Sequence, residues 1–344
     1  MKNKNYNNTL DILKVIATIL IIGSHCLPLF VNKTYNYYYG QYLFRFCVPL
    51  FFLSSGYYFT KMDYIQKKSY IKRICILYVL STIVYIPLIL YANESINNII
   101  YQLLFGYRHL WYLSALLFGL LIYYFFDRIN NSKKYFLIIP LLMISILFTE
   151  YYKLFNCESL IVVHHYLKYI GTARNSLFFA LPLLMIGGLI YKYNKKTIAI
   201  KTTKYISYLI VFAIVSFIES YFLYKKLGYG IHLDITVFNM AFPIILFILS
   251  LKININIKNI DLKMMRKICD YVYIIHVYII YVFNSLLKIT HIKGFVCITI
   301  VSFILSGLIY YILDYRKTNK KIYCWKYNNY IFFILSWKAS DSFL

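Results

Sequence analysis

Long apolar runs separated by short polar segments dominate this sequence. A membrane-spanning helix needs about 20 consecutive, mainly apolar residues, with roughly 17–25 usual. By this criterion the pattern predicts an all-α polytopic membrane protein, a bundle of about ten transmembrane helices. The predicted spans lie near residues 10–30, 41–60, 74–92, 109–126, 135–152, 177–193, 205–224, 234–251, 268–287 and 295–314.

The basic residues are sorted unevenly between the two sides of the predicted bundle. Lys and Arg concentrate on the cytoplasmic side of membrane proteins. With a cytoplasmic amino terminus, that side holds 26 of the 37 Lys and Arg residues and the opposite loops hold 9, while Lys14 and Arg45 lie within spans. The distribution predicts two cytoplasmic termini, and the expected location is the plasma (inner) membrane. It also explains the net charge of +25 without nucleic-acid binding.

The chain is expected to comprise a membrane domain over residues 1–315 and a cytoplasmic or interfacial tail over 316–344. That tail is basic and then apolar, and its apolar run is too short to span a membrane. No phosphate-binding glycine loop is present, and the seven cysteines match no zinc or redox spacing. The long outer loop, 153–176, contains Glu158, His164 and His165 but no third ligand at a suitable spacing, so no metal site is predicted. Chemistry is therefore expected within the bundle.

The first span carries two ionisable side chains that lipid does not tolerate, Lys14 and His25. They lie eleven residues apart, about three helical turns, on nearly the same face and roughly 16 Å apart along the axis. That face is predicted to line a protein interior or a wet cavity. His25 suits proton transfer at neutral pH, or it is a polar residue at the interface. Lys14 contacts an anionic cytoplasmic substrate, pairs with Asp11, or extends to the inner headgroups.

The second span begins with Arg45 and is predicted to kink, because Pro49 cannot donate to the Arg45 carbonyl. Arg45 either lines a cavity in the outer half of the membrane with His25 or lies at the outer interface. Further along, Ser54 and Ser55 serve close helix packing or contact a ligand that enters from the cytoplasm.

Four later positions are also candidates. Arg73 opens the third span on the inner side, where a cation suits anionic lipid or a polyphosphate group. Trp111 opens the fourth span and fits an aromatic belt or a functional role. His276 lies in mid-span, where a histidine is either functional or held by one interhelical hydrogen bond. Glu219 is a hypothetical partner for Arg45.

Four stretches resemble the acyltransferase-3 family of integral-membrane acyltransferases, and the resemblance covers nearly the whole chain. The first combines Asp11-x-x-Lys14 with His25; the second runs from Phe44 and Arg45 through Pro49 to Ser54, Ser55, Gly56 and Tyr57; the weaker two are Leu110–Leu113 and Tyr271–His276. The resemblance implies transfer of an acyl group, commonly acetyl from acetyl-CoA, to a hydroxyl of an extracytoplasmic glycan or small molecule. Acyl-CoA is then a co-substrate, with no permanently bound cofactor.

The resemblance also suggests roles for individual residues. His25 matches the family's essential histidine, and Lys14 stands where the family usually has Arg, so the charge is kept but the planar fork is lost. In this hypothesis His25 is the general base or accepts the acyl group, and Arg45 stabilises the oxyanion. Acyl-CoA contacts Lys14, Ser54, Ser55 and Arg73. The alternatives are a transporter whose buried charges form a substrate or proton path and a purely structural membrane partner; the oligomeric state is open.

Overall fold

The computed structural model describes residues 7–92, 95–128, 132–155, 161–169, 172–229, 235–255 and 261–315. Within these ranges the regular secondary structure is entirely helical, which confirms the predicted all-α class. The α-helices are α1 Asn8–His25, α2 Lys33–Tyr37, α3 Cys47–Lys61, α4 Tyr64–Ala92, α5 Ile96–Phe105, α6 Trp111–Arg128, α7 Ile138–Ile146, α8 Tyr152–Leu154, α9 Ile161–Tyr169, α10 Leu181–Lys192, α11 Asn194–Ala199, α12 Thr202–Leu227, α13 Ala241–Lys252, α14 Leu262–Val282 and α15 His291–Tyr310. The predicted tail, 316–344, and Glu158 lie outside the described residues.

Six helical segments in the described part of the chain are long and apolar enough to cross a membrane. They are Asn8–His25, Tyr64–Ala92, Arg108–Phe126, Thr202–Leu227, Leu262–Leu287 and His291–Leu313. Four shorter apolar helical segments are Ile96–Phe105, Tyr135–Thr149, Ser176–Lys192 and Ala241–Lys252. The chain is thus a multi-pass helical protein, whereas the count of about ten spans and the cytoplasmic placement of the termini stay predictions.

The second predicted span differs from the expectation at its amino-terminal end. The helix does not run through Arg45 with a kink; α3 begins at Cys47, and Arg45 lies in the preceding turn. Pro49 therefore falls in the first turn of α3. Backbone N–H groups have no intrahelical acceptor in a first turn, so proline is tolerated there.

The chain divides into two compact units, the first formed by Met1–Gly40 and Ser250–Leu344. In this unit α1 packs along α14, and α15 packs against both. The side chain of Asn7 caps α1 by accepting from the Leu10 N–H at 3.0 Å. Its amide group also donates to the Ser250 carbonyl at 2.7 Å. This bond ties the start of α1 to Ser250, where the second segment of this unit begins.

The second unit comprises Gln41–Leu249 and is built around the pair α3 and α10. The two helices meet through glycines, because Gly56 lies against the backbone of Leu184 and Gly187 lies against the backbone of Leu53. Small residues allow such close approach of helices in membrane proteins. The close helix contact near Ser54 and Ser55 is thus found at the next residue, Gly56.

Candidate functional site

One face of α1 carries polar side chains at a helical spacing. Asp11, Lys14, Thr18 and His25 follow one another at intervals of three, four and seven residues, which aligns them along the helix. Asp11 and Thr18 are buried, while Lys14 and His25 are partly buried. This face packs on α14, and the two helices form a polar seam. We define the polar seam as Asp11, Lys14, Thr18 and His25 of α1 with Arg266, Asp270 and His276 of α14.

A cluster of charged groups occupies the amino-terminal end of the seam. Arg266 Nε lies 3.8 Å from Asp11 Oδ1, and each of these side chains is only 7% exposed. Lys14 interacts electrostatically with Asp11, Arg266 and Asp270. Two cations and two carboxylates therefore balance one another, as charges taken out of water require. The expected proximity of Asp11 and Lys14 is observed.

Two histidines meet at the other end of the seam. The ring centroids of His25 and His276 are 5.4 Å apart, and the planes are tilted by 50°. His276 is 1% exposed. Its Nδ1 lies 3.0 Å from the Val272 carbonyl and 2.9 Å from the Tyr273 carbonyl. The structure thus brings together two histidines that the sequence suggested separately.

The order of these contacts shows how the helices run. Asp11 meets Arg266 near the start of each helix, and His25 meets His276 further along each. The two helices are therefore parallel. If both span the membrane, an odd number of crossings separates them. The predicted spans that contain His25 and His276, the first and the ninth, have this relation.

The predicted oxyanion donor, Arg45, belongs to the second unit. Its side chain donates from one terminal nitrogen to Gln41 Oε1 at 2.6 Å. Glu219, the hypothetical partner, instead accepts from the Tyr151 hydroxyl and from three groups of residues 236–238. These are the Thr236 hydroxyl at 2.7 Å and the N–H groups of 237 and 238 at 2.9 and 3.0 Å.

The remaining predicted residues also lie in the second unit. Ser54 is buried and Ser55 is partly buried on α3. The guanidinium of Arg73 lies 5.8 Å from the centre of the Tyr70 ring. These contacts are compatible with packing and leave the proposed donor-binding role of Ser54, Ser55 and Arg73 a prediction.

Trp111 is held between side chains of its own unit. Its ring is nearly parallel to that of Phe179, with centroids 6.0 Å apart. The guanidinium of Arg174 lies 5.3 Å from the Trp111 ring. Trp111 is therefore partly buried in an aromatic and cationic cluster, and its place in an aromatic belt or a functional role stays a prediction.

Arg266 is the site residue that sequence reasoning missed, because it appeared to be one of several basic residues in a cytoplasmic loop. In the structure α14 begins at Leu262, six residues before the predicted span, so Arg266 is helical and 6% exposed. The signal available in the sequence was its position four residues before Asp270, on the same helical face as that carboxylate.

The fold and the seam define a class: a multi-pass helical membrane protein with buried charges and a histidine pair in its bundle. The model of the acyltransferase-3 family, described as an acyltransferase domain, matches residues 7–311. The chain belongs to this acyltransferase family.

Curated relatives share part of this chain. An amino-acid racemase of Enterococcus faecalis is 30% identical over 213 residues, which are 57% of this chain and 30% of that protein. A serine/alanine racemase of Enterococcus gallinarum is 28% identical over 270 residues, 72% of this chain and 37% of that protein. The chain thus spans about a third of the length of these relatives. No solved structure matches.

Proposed function

We propose that this protein is a plasma-membrane enzyme that transfers an acyl group from cytoplasmic acyl-CoA to a hydroxyl of an extracytoplasmic glycan or small molecule. The proposed acyl group is acetyl. The observation that carries this proposal is His25, partly buried on the seam face of α1 and in ring contact with His276. A sheltered imidazole of this kind is a suitable general base.

In the proposed reaction His25 removes the proton of the acceptor hydroxyl as its oxygen attacks the thioester carbonyl. The carbon–sulfur bond then breaks, the ester is formed, and the CoA thiolate leaves and takes up the proton from His25. Arg45 stabilises the negative charge that develops on the carbonyl oxygen. The acyl-CoA is a co-substrate, and the reaction requires no other cofactor.

The donor is proposed to contact Lys14, Ser54, Ser55 and Arg73. Lys14 is roughly 16 Å from His25 along α1, which separates donor recognition from the base. The carboxylates of Asp11 and Asp270 offset the charge of Lys14, so its attraction for phosphate is reduced. We therefore assign the phosphates mainly to Arg73 and the pantetheine arm to Lys14, and we propose that the arm extends so that the thioester reaches His25.

The names of the relatives suggest one small-molecule acceptor to test. A serine/alanine racemase acts on serine, which carries a free hydroxyl, and the shared segment covers 72% of this chain. Free serine therefore belongs in the acceptor panel beside cell-envelope glycan.

The test is transfer from radiolabelled acetyl-CoA to glycan and to serine in membranes that contain equal amounts of wild-type protein, His25→Ala or His165→Ala. His165 is an exposed histidine on α9 and serves as the control. We expect label in the wild type and the control and at least a 100-fold loss in His25→Ala, because general bases contribute about 10²–10⁴-fold. Full transfer by folded His25→Ala would refute the proposed role.

A transport module is the second candidate, and the buried cluster of Asp11, Lys14, Arg266 and Asp270 favours it, because ionisable groups within a bundle often mark substrate or proton paths. Sealed vesicles distinguish the two functions. Accumulation of serine or alanine without any acyl donor, together with no acyl transfer to either acceptor, would support transport.

A further inference from the structure

We propose that His276 is the positioning residue for His25: it presents a proton-accepting nitrogen to His25 and stabilises the imidazolium that forms when His25 takes a proton. This inference rests on the proposed acyl transfer and assigns a second residue to the same step. It starts from the contact of the two rings, 5.4 Å between centroids, at the end of the seam remote from the charged cluster.

The backbone of α14 selects the tautomer of His276. Its Nδ1 lies within hydrogen-bond distance of two carbonyl oxygens, those of Val272 and Tyr273, at 3.0 and 2.9 Å. A carbonyl oxygen only accepts, so Nδ1 must carry the proton. In neutral His276 the lone pair therefore resides on Nε2. The helix thus fixes both the ring orientation and the proton position.

A histidine of this tautomer complements a general base. When His25 removes the acceptor proton it becomes a cation with two N–H donors. One N–H returns the proton to the leaving thiolate, and the other requires an acceptor. A neutral Nε2 supplies that acceptor, in the manner of the carboxylate that orients a catalytic histidine in hydrolytic triads. His276 itself gains and loses no proton over the cycle.

The burial of His276 keeps it neutral while it plays this role. A side chain that is 1% exposed loses most of its hydration, which disfavours the charged form. A second cation would also be repelled by protonated His25 at this separation. When the pair takes up the acceptor proton, that proton therefore resides on His25.

Three substitutions separate the functions of the ring. His276→Gln places an amide oxygen near the Nε2 position and keeps an acceptor. His276→Asn keeps a donor near Nδ1 for the carbonyls of α14 and removes the acceptor. His276→Phe keeps the ring volume and removes both. All three are compared with wild type at equal amounts of monodisperse protein.

Two measurements are made on each variant. The first is steady-state acyl transfer, with kcat and KM determined for the acetyl donor and the acceptor. We expect His276→Gln to keep kcat within about tenfold of wild type. His276→Asn and His276→Phe should lose about 100-fold or more in kcat, within the range for acid–base groups, with unchanged KM values.

The second measurement needs no acyl transfer. Diethylpyrocarbonate modification of His25 is followed by mass spectrometry at an alkaline pH at which His25 is neutral in all four proteins. Because an acceptor for one N–H makes the other nitrogen more nucleophilic, His25 should react several-fold more slowly in His276→Asn and His276→Phe than in wild type, and near the wild-type rate in His276→Gln.

The results separate this inference from the proposed function. If the protein shows the expected reactivity pattern but transfers no acyl group, the positioning of His25 by His276 is supported and only the proposed acyl transfer is overturned. Equal His25 reactivity in all four proteins would overturn the positioning role. Equal loss of kcat in His276→Gln and His276→Phe would also overturn it, since a role in packing alone requires no acceptor. If His276→Phe does not fold, the Gln and Asn variants decide alone.

Discussion

The crossing of α3 and α10 allows a sharp test of the fold, through a single added methyl group. A Cβ at Gly56 would overlap the Leu184 carbonyl oxygen and lie 2.6 Å from its carbonyl carbon and its Cα. These are backbone atoms, which cannot turn aside as a flexible side chain can. Ordinary contact for a Cβ begins at 3.4 Å, so Gly56→Ala must separate the two backbones by about 0.8 Å (3.4 − 2.6) or more.

The cost of this separation follows from the close packing of the pair. A gap of 0.5–1 Å forfeits about a quarter to a half of each dispersion contact across it. Overpacking of this kind typically costs about 1–3 kcal/mol, and occasionally more. Replacing glycine by alanine in a helix returns up to about 1 kcal/mol. Because the overlap is with backbone atoms, the packing cost falls at the upper end of this range, and we expect the free energy of unfolding to fall by about 2 kcal/mol.

Gly307 provides the matched control, because it is also helical and a Cβ there would meet nothing within 4 Å. Gly307→Ala should leave stability unchanged or raise it slightly. The assay is thermal unfolding in detergent, followed as the loss of the monodisperse fluorescent peak of a tagged protein. For a chain of 344 residues, a loss of about 2 kcal/mol corresponds to a Tm about 3 °C lower for Gly56→Ala. Equal Tm values for the two variants would refute the tight crossing.

The same assay tests two polar contacts. At 3.8 Å, the pair Asp11–Arg266 interacts with about 4 kcal/mol at an effective dielectric constant near 20. Arg266→Met should lower the free energy of unfolding by about 3–5 kcal/mol. The double variant Arg266→Met with Asp11→Asn should lose less than the sum of the two single losses. Lys267→Met, a control at the neighbouring residue, should lower the free energy of unfolding by less than about 1 kcal/mol. Additive losses in the Arg266 and Asp11 double variant would contradict an interaction between these two side chains. Glu219→Gln should lower the free energy of unfolding by about 2 kcal/mol, because the carboxylate presents two acceptor oxygens to its four donors and an amide would present only one. An unchanged Tm would contradict this.

The polar face of α1 illustrates what the sequence predicts well. Lys14 and His25 are placed on one helical face by spacing alone, and the structure packs that face against another helix. Such a prediction is local, since it needs only the helical repeat. The partner of that face is not local: Arg266 and His276 are distant in sequence, and no repeat relates them to α1. Sequence could therefore name His276 as unusual but not as the neighbour of His25.

The start of the second predicted span illustrates the opposite outcome. Hydrophobicity alone favours a continuous helix over 41–60, with Arg45 inside it. Proline is compatible with either a kinked helix or a first turn, so Pro49 does not decide between them. The structure adopts the second arrangement, and Arg45 lies in the turn before Cys47. Here the apolar pattern was right and the boundary was wrong.

The parallel packing of α1 and α14 constrains topology beyond what composition provides. If both helices span the membrane, the crossings between them must be odd in number, because the charged cluster and the histidine pair fix the direction of each helix. In the described part of the chain, three of the long apolar helices, α4, α6 and α12, lie between them in sequence. The ten-span prediction places seven there, so both counts satisfy the condition. Any revision must therefore add or remove crossings between these helices in pairs, for instance by reassigning two of the shorter apolar helices together. A single reassigned crossing would place the His25 end of α1 and the His276 end of α14 on opposite sides of the membrane, which the ring contact excludes.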